Sequence, residues 1–380
     1  MEKFFFATAV FLFAIAVSNF AYAQVESDSE ESSESVKQPA ATTPQEGLKA
    51  YSKFDFVPGE NVIFFDDFSQ DNVGDFPALW NTNASGEVVT LSEFPGKWFK
   101  MKPGGSFYPE MKGVMPENFT IEYDLVYSYK AEAPSFSMDI FSTIEGERID
   151  ELVAGNGGAE LQLSAGQVSL FNWKDKEYGA IRSILDNEHL SAKNNQVVRV
   201  SIAVQKERVR VYLDQDKIYD IPKLLYPGLT YDRIRFYSGN ESEGYTPYIS
   251  NFRVAVGVPD MRSKLITEGK LVTRGILFNS GSDKIKPESY GTLKMISDIL
   301  KENPSVKVKI VGHTDSDGDE KSNFDLSKRR AASVKNVLSN EFGVEMTRME
   351  VDGKGESEPV SPNTTPEGKA NNRRVEFIKL

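Results

Sequence analysis

The sequence predicts a multidomain chain, with an all-β sandwich followed by an α/β sandwich domain. Three observations predict it. From Tyr51 to Val258, short runs alternate apolar and polar residues, the period of half-buried strands, with helical periodicity nearly absent. From Lys270 onward the period changes, and strand-like runs alternate with amphipathic helical ones. Between the two, residues 259–269 are too few for a further domain and read as a linker with a helical turn.

The length, 380 residues, and a hydrophobic content of 39 % suit two globular cores with extensions. Asp and Glu number 56 against 44 Lys and Arg, a balance that argues against nucleic acid as the main partner. The absence of cysteine excludes disulfides, thiolate metal sites and a lipid-modified N-terminal cysteine.

Residues 1–23 read as a cleaved export signal: Lys3, then the apolar run Phe4 to Val17, then Ala21-Tyr22-Ala23 before Gln24. Residues 24–50 are acidic and Ser-rich, with almost nothing to bury, and are expected to form a disordered tether.

The β domain, 51–258, opens with Val62-Ile63-Phe64-Phe65. The run Thr120 to Leu125 alternates, as does Ser135 to Ile140. Leu161 to Leu163 and Val168 to Leu170 flank an Ala165-Gly166 turn, and Val197 to Val204 and Arg208 to Leu213 flank Gln205-Lys206-Glu207. Each pair predicts a hairpin. Ile234 to Tyr237 and Tyr248 to Val256 complete a two-sheet sandwich. Trp80, Trp98 and Trp173 fit the core better than a sugar-stacking platform.

The segment Phe65-Asp66-Asp67-Phe68 … Gly74-Asp75-Phe76-Pro77-Ala78-Leu79-Trp80 resembles the opening of concanavalin-like (laminin-G-like) jelly rolls. That resemblance implies a jelly roll that binds glycan or protein. Glu122 and Asp124, two apart on a strand, share a face, and glycosidases need paired carboxylates. A carbohydrate-active enzyme is therefore the alternative reading. The third acid of the jelly-roll glycosidase pattern is missing after Leu125, and with Ile121, Tyr123 and Leu125 facing the core both acids are expected to face water. Asp66, Asp67, Asp71 and Asp75 have oxygens for calcium but no fixed spacing, and no metal or cofactor is expected.

The α/β domain, 270–380, is read as follows. Leu271 to Phe278 is a strand. Pro287 opens a helix with Leu293, Ile296, Ile299 and Leu300 on one face, stopped by Asn303-Pro304. Val306 to Val311 is the second strand, ending in Gly312-His313-Thr314-Asp315. A helix runs from Asn323 to about Glu341, with Phe342-Gly343 at its exit. Thr347 to Val351 is the third strand, and a loop leads to a closing strand ending at Leu380.

On the second helix, Leu326, Ala331, Val334, Val337 and Leu338 form an apolar stripe, and Arg330 projects about 40° from Leu326, inside it. A cation there needs an anionic partner. Asp315, at the end of the preceding strand, is the nearest candidate on that rim. The pair reads equally as a closed salt bridge or as a clamp that meets an ammonium with the acid and a carboxylate with the guanidinium. Asn323 would add amide groups. His313 has no second histidine nearby and reads as structural. The acidic loop Asp315-Ser316-Asp317-Gly318-Asp319-Glu320 lacks the glycine and glutamate positions of a calcium loop.

Gly312-His313-Thr314-Asp315 … Asn323 … Leu326-Ser327-x-x-Arg330-Ala331, then Gly353-x-Gly355-Glu356-x-x-Pro359 and Asn372-Arg373-Arg374-Val375, resembles the OmpA C-terminal family, shared with peptidoglycan-associated lipoproteins and flagellar stator proteins. The resemblance implies noncovalent binding of peptidoglycan through its diamino acid, usually meso-diaminopimelate, without catalysis. It implies that Asp315 takes the ammonium and Arg330 the carboxylate, with hydrogen bonds from Asn323 and the backbone around Leu326. Thr314 and Arg374 support the site, and Arg373 and Arg374 serve mostly structure. The expected location is the periplasm or cell envelope. An outer-membrane complex or a glycan is the expected partner of the jelly roll, and no nucleic acid is expected.

Overall fold

The computed structural model describes residues 54–128, 136–146, 148, 150–151, 153–164, 166–187, 190, 193–239, 246–257 and 260–380. The expected export signal, the tether and part of the 259–269 linker lie outside the described residues.

The β domain contains β1 (Asn61–Asp66), β2 (Trp80–Thr82), β3 (Gly86–Val89), β4 (Trp98–Met101), β5 (Ser106–Pro109), β6 (Asn118–Ser128), β7 (Phe136–Ser142), β8 (Gly157–Ser164), β9 (Gln167–Lys174), β10 (Glu177–Asp186), β11 (Val197–Gln205), β12 (Arg208–Leu213), β13 (Asp216–Ile221), β14 (Arg233–Ser238) and β15 (Thr246–Val256). They form two antiparallel sheets, ordered β13-β12-β11-β6-β15-β4-β3 with β1 on β15, and β10-β9-β8-β7-β14-β5-β2. Both expected hairpins are present, as β8/β9 and β11/β12. The alternation sends Phe119, Ile121, Tyr123 and Leu125 of β6 into a shared core with Val198, Val200 and Ile202 of β11 and Phe136, Met138 and Ile140 of β7. Trp80, Trp98 and Trp173 are all buried.

The other face of β6 corrects the expectation that Glu122 and Asp124 face water. They are 2 % and 8 % exposed. Arg199 of β11 donates to Glu122 at 3.0 Å and to Asp124 at 3.0 Å, and Arg253 of β15 donates to the second Glu122 oxygen at 2.9 Å. The face is dry because other chain covers it. Phe54 and Phe56 pack on Tyr212 and Ala203, and the Gly59 N–H donates to Thr120 Oγ1 at 2.9 Å. Val57 packs against the core of the α/β domain. Residues 54–60 thus form a strap between the sheet and that domain.

The α/β domain contains β16 (Lys270–Thr273), α1 (Tyr290–Glu302), β17 (Val308–His313), α2 (Glu320–Asn340), β18 (Met349–Gly355), α3 (Pro366–Asn372) and β19 (Val375–Lys379). The sheet order is β16-β19-β17-β18, with β17 and β18 parallel and β19 antiparallel to its neighbours. The apolar faces of α1 and α2 meet over it, burying Leu293, Ile296, Ala331, Val334 and Leu338. Two expectations need correction. The first strand ends at Thr273 instead of Phe278, because Arg274 turns away to donate to the Glu60 and Asn371 carbonyls. The segment expected as a loop before β19 contains α3, begun by Pro366 and capped by Thr365 Oγ1, which accepts from the Gly368 N–H at 3.0 Å.

The two domains belong to one compact unit. Ala370 of α3 packs with Val62 and Ala255. The Asn371 side chain accepts from the Val62 N–H at 3.2 Å and donates to its carbonyl at 3.0 Å, as a neighbouring strand would.

Candidate functional site

The carboxyl end of β17 presents the site, and two backbone bonds fix it. His313 N–H donates to the Arg374 carbonyl at 3.0 Å and Thr314 N–H to the Gly355 carbonyl at 2.9 Å. Asp315 follows, 7 % exposed. Its Oδ1 accepts from the Asp317 N–H at 3.2 Å and its Oδ2 from Arg373 Nη1 at 2.5 Å. The loop then enters α2, where Asp319 caps the first turn by accepting from the Ser322 N–H at 2.9 Å.

Asn323 fastens this loop. Its amide nitrogen donates to the carbonyls of Asp315 at 3.4 Å and Asp317 at 3.0 Å, and to Glu356 Oε2 at 2.6 Å. One turn of helix separates it from Leu326 and two bring Arg330. The open amides of α2 are those of its first turn, so the Leu326 N–H lies past them, inside the helix.

Among the described residues, Arg330 has no carboxylate partner within ion-pair distance. Its Nε donates to the Ser282 carbonyl at 2.9 Å, and its guanidinium lies 4.9 Å from the centre of the Phe278 ring. Burial pulls its affinity for the proton below the usual arginine value, against the attraction of Asp315. The anionic partner that its place on the helix calls for is therefore not supplied by the described residues. Asp315 and Arg330 stand on one rim without forming an ion pair, each held by other groups.

Beside them lies a cavity of about 130 Å³, lined by Arg330, Arg373, Arg374, His313 and Phe278, and by Phe65 and Arg253 from the β domain. Arg373 lies over the Phe65 ring at 5.0 Å. Arg374 is bound to Glu376 at 2.9 Å. Burial alone would raise the Glu376 carboxyl, but the nearby His313, Lys270 and Arg374 outweigh it and hold it far below the carboxylate range. Thr314 Oγ1 and both ring nitrogens of His313 are buried without a hydrogen bond among the described residues, the His313 Nε2 lying 3.7 Å from Glu376 Oε1.

The acids weighed for calcium are occupied locally. Asp317 pairs with Lys369 at 2.6 Å. Asp66 accepts from Trp80 Nε1 at 2.9 Å and from the Phe68 N–H at 2.8 Å, and Asp71 accepts from the Ala78 N–H. Among the described residues, no cluster of three or more potential ligands has metal-binding geometry.

The structure thus brings together Thr314, Asp315, Asn323, Arg330 and Arg374, all singled out in the sequence. Sequence reasoning missed Arg373 as the partner of Asp315, along with Glu356, Phe65, Arg253 and Arg274. The pattern Asn372-Arg373-Arg374 marked the first of these, but its distance of 58 positions from Asp315 hid the contact.

Residues 277–373 match the family model described as OmpA family. Outer membrane porin F of Pseudomonas aeruginosa is 44 % identical over 111 residues, which are 29 % of this chain and 32 % of porin F. The outer-membrane lipoprotein YfiB of Pseudomonas aeruginosa is 43 % identical over 103 residues, 27 % of this chain and 61 % of that protein. A solved peptidoglycan-associated lipoprotein from Burkholderia pseudomallei is 28 % identical, covers 28 % of this chain and 88 % of its own, and superposes with a TM-score of 0.26. The chain spans about a third of porin F and three-fifths of YfiB.

Proposed function

We propose that the OmpA family domain at residues 277–373 holds this chain noncovalently to peptidoglycan, by gripping the zwitterionic head group of diaminopimelate in the stem peptide. One observation carries the reading. Asp315 and Arg330 share a rim but do not bond to each other, and among the described residues Arg330 has only carbonyls and an aromatic face as partners. A zwitterion supplies what each lacks. Its ammonium meets Asp315, whose carboxylate has about four lone-pair sites and so can accept beyond the bonds from Arg373 and Asp317. Its carboxylate meets Arg330, whose fork suits two oxygens. Asn323 positions Asp315 through its carbonyl, and Thr314 and Arg374 support the strand ends.

The domain match and the outer-membrane relatives support a place in the cell envelope, in the periplasm and associated with the outer membrane. We assign the β domain, read as a jelly roll, the part of an adaptor that binds glycan or protein. Catalysis by Glu122 and Asp124 is disfavoured, since Glu122 has both oxygens bound to arginine beneath the strap.

Sedimentation with insoluble peptidoglycan tests the proposal. Asp315→Ala and Arg330→Ala should each lose at least about tenfold in affinity, as truncating one partner of a charge-assisted pair implies, while circular dichroism stays that of the wild type. Pelleting of both variants at wild-type levels would remove the clamp from the account.

A further inference from the structure

We propose that the cavity between the β domain and the OmpA family domain is a second carboxylate subsite, completed by Arg253 and Phe65 of the β domain, which takes a carboxylate of the stem peptide other than that of the zwitterionic head group. The inference rests on the peptidoglycan reading for the source of its ligand. Its chemistry stands on the cavity itself.

Among the described residues, five arginines line the cavity and no carboxylate does. Three of them are balanced: Arg253 by Glu122, Arg373 by Asp315 and Arg374 by Glu376. Among the described residues, Arg274 and Arg330 have only carbonyl partners, at Asn371 and Glu60 for the first and at Ser282 and Asn279 for the second. The cavity is therefore short of two negative charges, and the clamp accounts for one of them. Burial, reinforced by the nearby Arg253 and Arg374, pulls Arg274 down to about 10, the cost of crowding cations without an anion. Arg253 is 6 % exposed, and its Nη2 is buried without a partner among the described residues, a donor prepared for an acceptor.

The volume of about 130 Å³ is well above the roughly 10–15 Å³ that a single water needs, enough for a carboxylate and the atoms that carry it. Arg373, with 34 % of its side chain exposed, stands at the mouth, and Phe65 beneath it provides an apolar floor for the ligand's carbon chain. The β domain then does more than adjoin the clamp: it supplies one wall of the site.

Calorimetric titration of the full chain tests this, with the stem tripeptide ending in meso-diaminopimelate and the same tripeptide amidated at its terminal carboxyl. The wild type should bind the free acid at least tenfold more tightly than the amide. Arg253→Gln should bring that ratio below threefold. The double variant Glu122→Gln/Arg253→Gln, which leaves no unpaired Glu122 charge behind, should do the same if the single variant folds poorly. Asp315→Ala should weaken both peptides while keeping the ratio, so failure of the clamp and failure of the subsite read differently. A wild-type ratio near one, or an unchanged ratio in a folded Arg253 variant, overturns the subsite.

Discussion

Arg330 shows how much a single side chain can reveal before its surroundings are known. Its place inside an apolar stripe marked it as a cation in need of an anion, and Asp315 was visible as the acid at the adjoining strand end. Arg373 was not, because its role depends on α3 turning the chain back onto β17, which local periodicity does not encode. Other buried acids set the pH response. Burial pushes Asp66 up to about 7, and burial with Asp139 nearby pushes Glu160 up to about 7. A carboxyl whose folded value is raised favours the fold most where both states are protonated, and that advantage is lost as the pH rises from about 4 to about 7. Glu376 acts in the opposite sense. Its depressed folded value stabilises the fold above about pH 4.3, and the contribution disappears as the pH falls below that point. The thermal midpoint should therefore be higher at pH 5 than at pH 8, and Glu160→Gln should narrow the difference. Equal midpoints in the wild type would contradict the assignment.

The elements follow from patterns of short range, and the departures have local causes. The alternation in β6, β8, β9, β11 and β12 was legible because one face of each enters a core. The strand beginning near Leu271 was read too long, since nothing in its apolar run shows that Arg274 leaves the sheet for a carbonyl on the β domain. The helix α3 had a signal that went unused, a threonine before a proline at the first helical position. Close packing of α2 on the sheet depends on glycine. A Cβ on Gly353 would lie 2.5 Å from the Lys328 nitrogen and 2.5 Å from Ser327 Oγ. Gly353→Ala should cost about 1–3 kcal/mol by overpacking, read as a lower midpoint in chemical denaturation, and should weaken peptidoglycan binding by shifting α2 and with it Arg330. A variant of wild-type stability would show that the helix can move away at no cost.

At the scale of the whole molecule, the sequence concealed which surfaces the domains cover. Glu122 and Asp124 look like a wet face in the linear chain, yet the strap at residues 54–60 and the neighbouring domain close over them. Arg199→Ala would leave two buried carboxylates short of a partner and should destabilise the chain by about 3–5 kcal/mol, measured by denaturant unfolding. A change below about 1 kcal/mol would place those acids in water after all. The strap and the paired Asn371–Val62 bonds also bring the β domain to the edge of the proposed clamp. The central claim is that two opposite charges, kept from closing on each other, read a zwitterion. Its most direct measurement compares sedimentation of the full chain with peptidoglycan whose stem peptide carries meso-diaminopimelate and with peptidoglycan carrying L-lysine, which lacks the side-chain carboxylate. The account predicts binding to the first at least about tenfold tighter, the loss of one charge-assisted contact; equal sedimentation with both would contradict it.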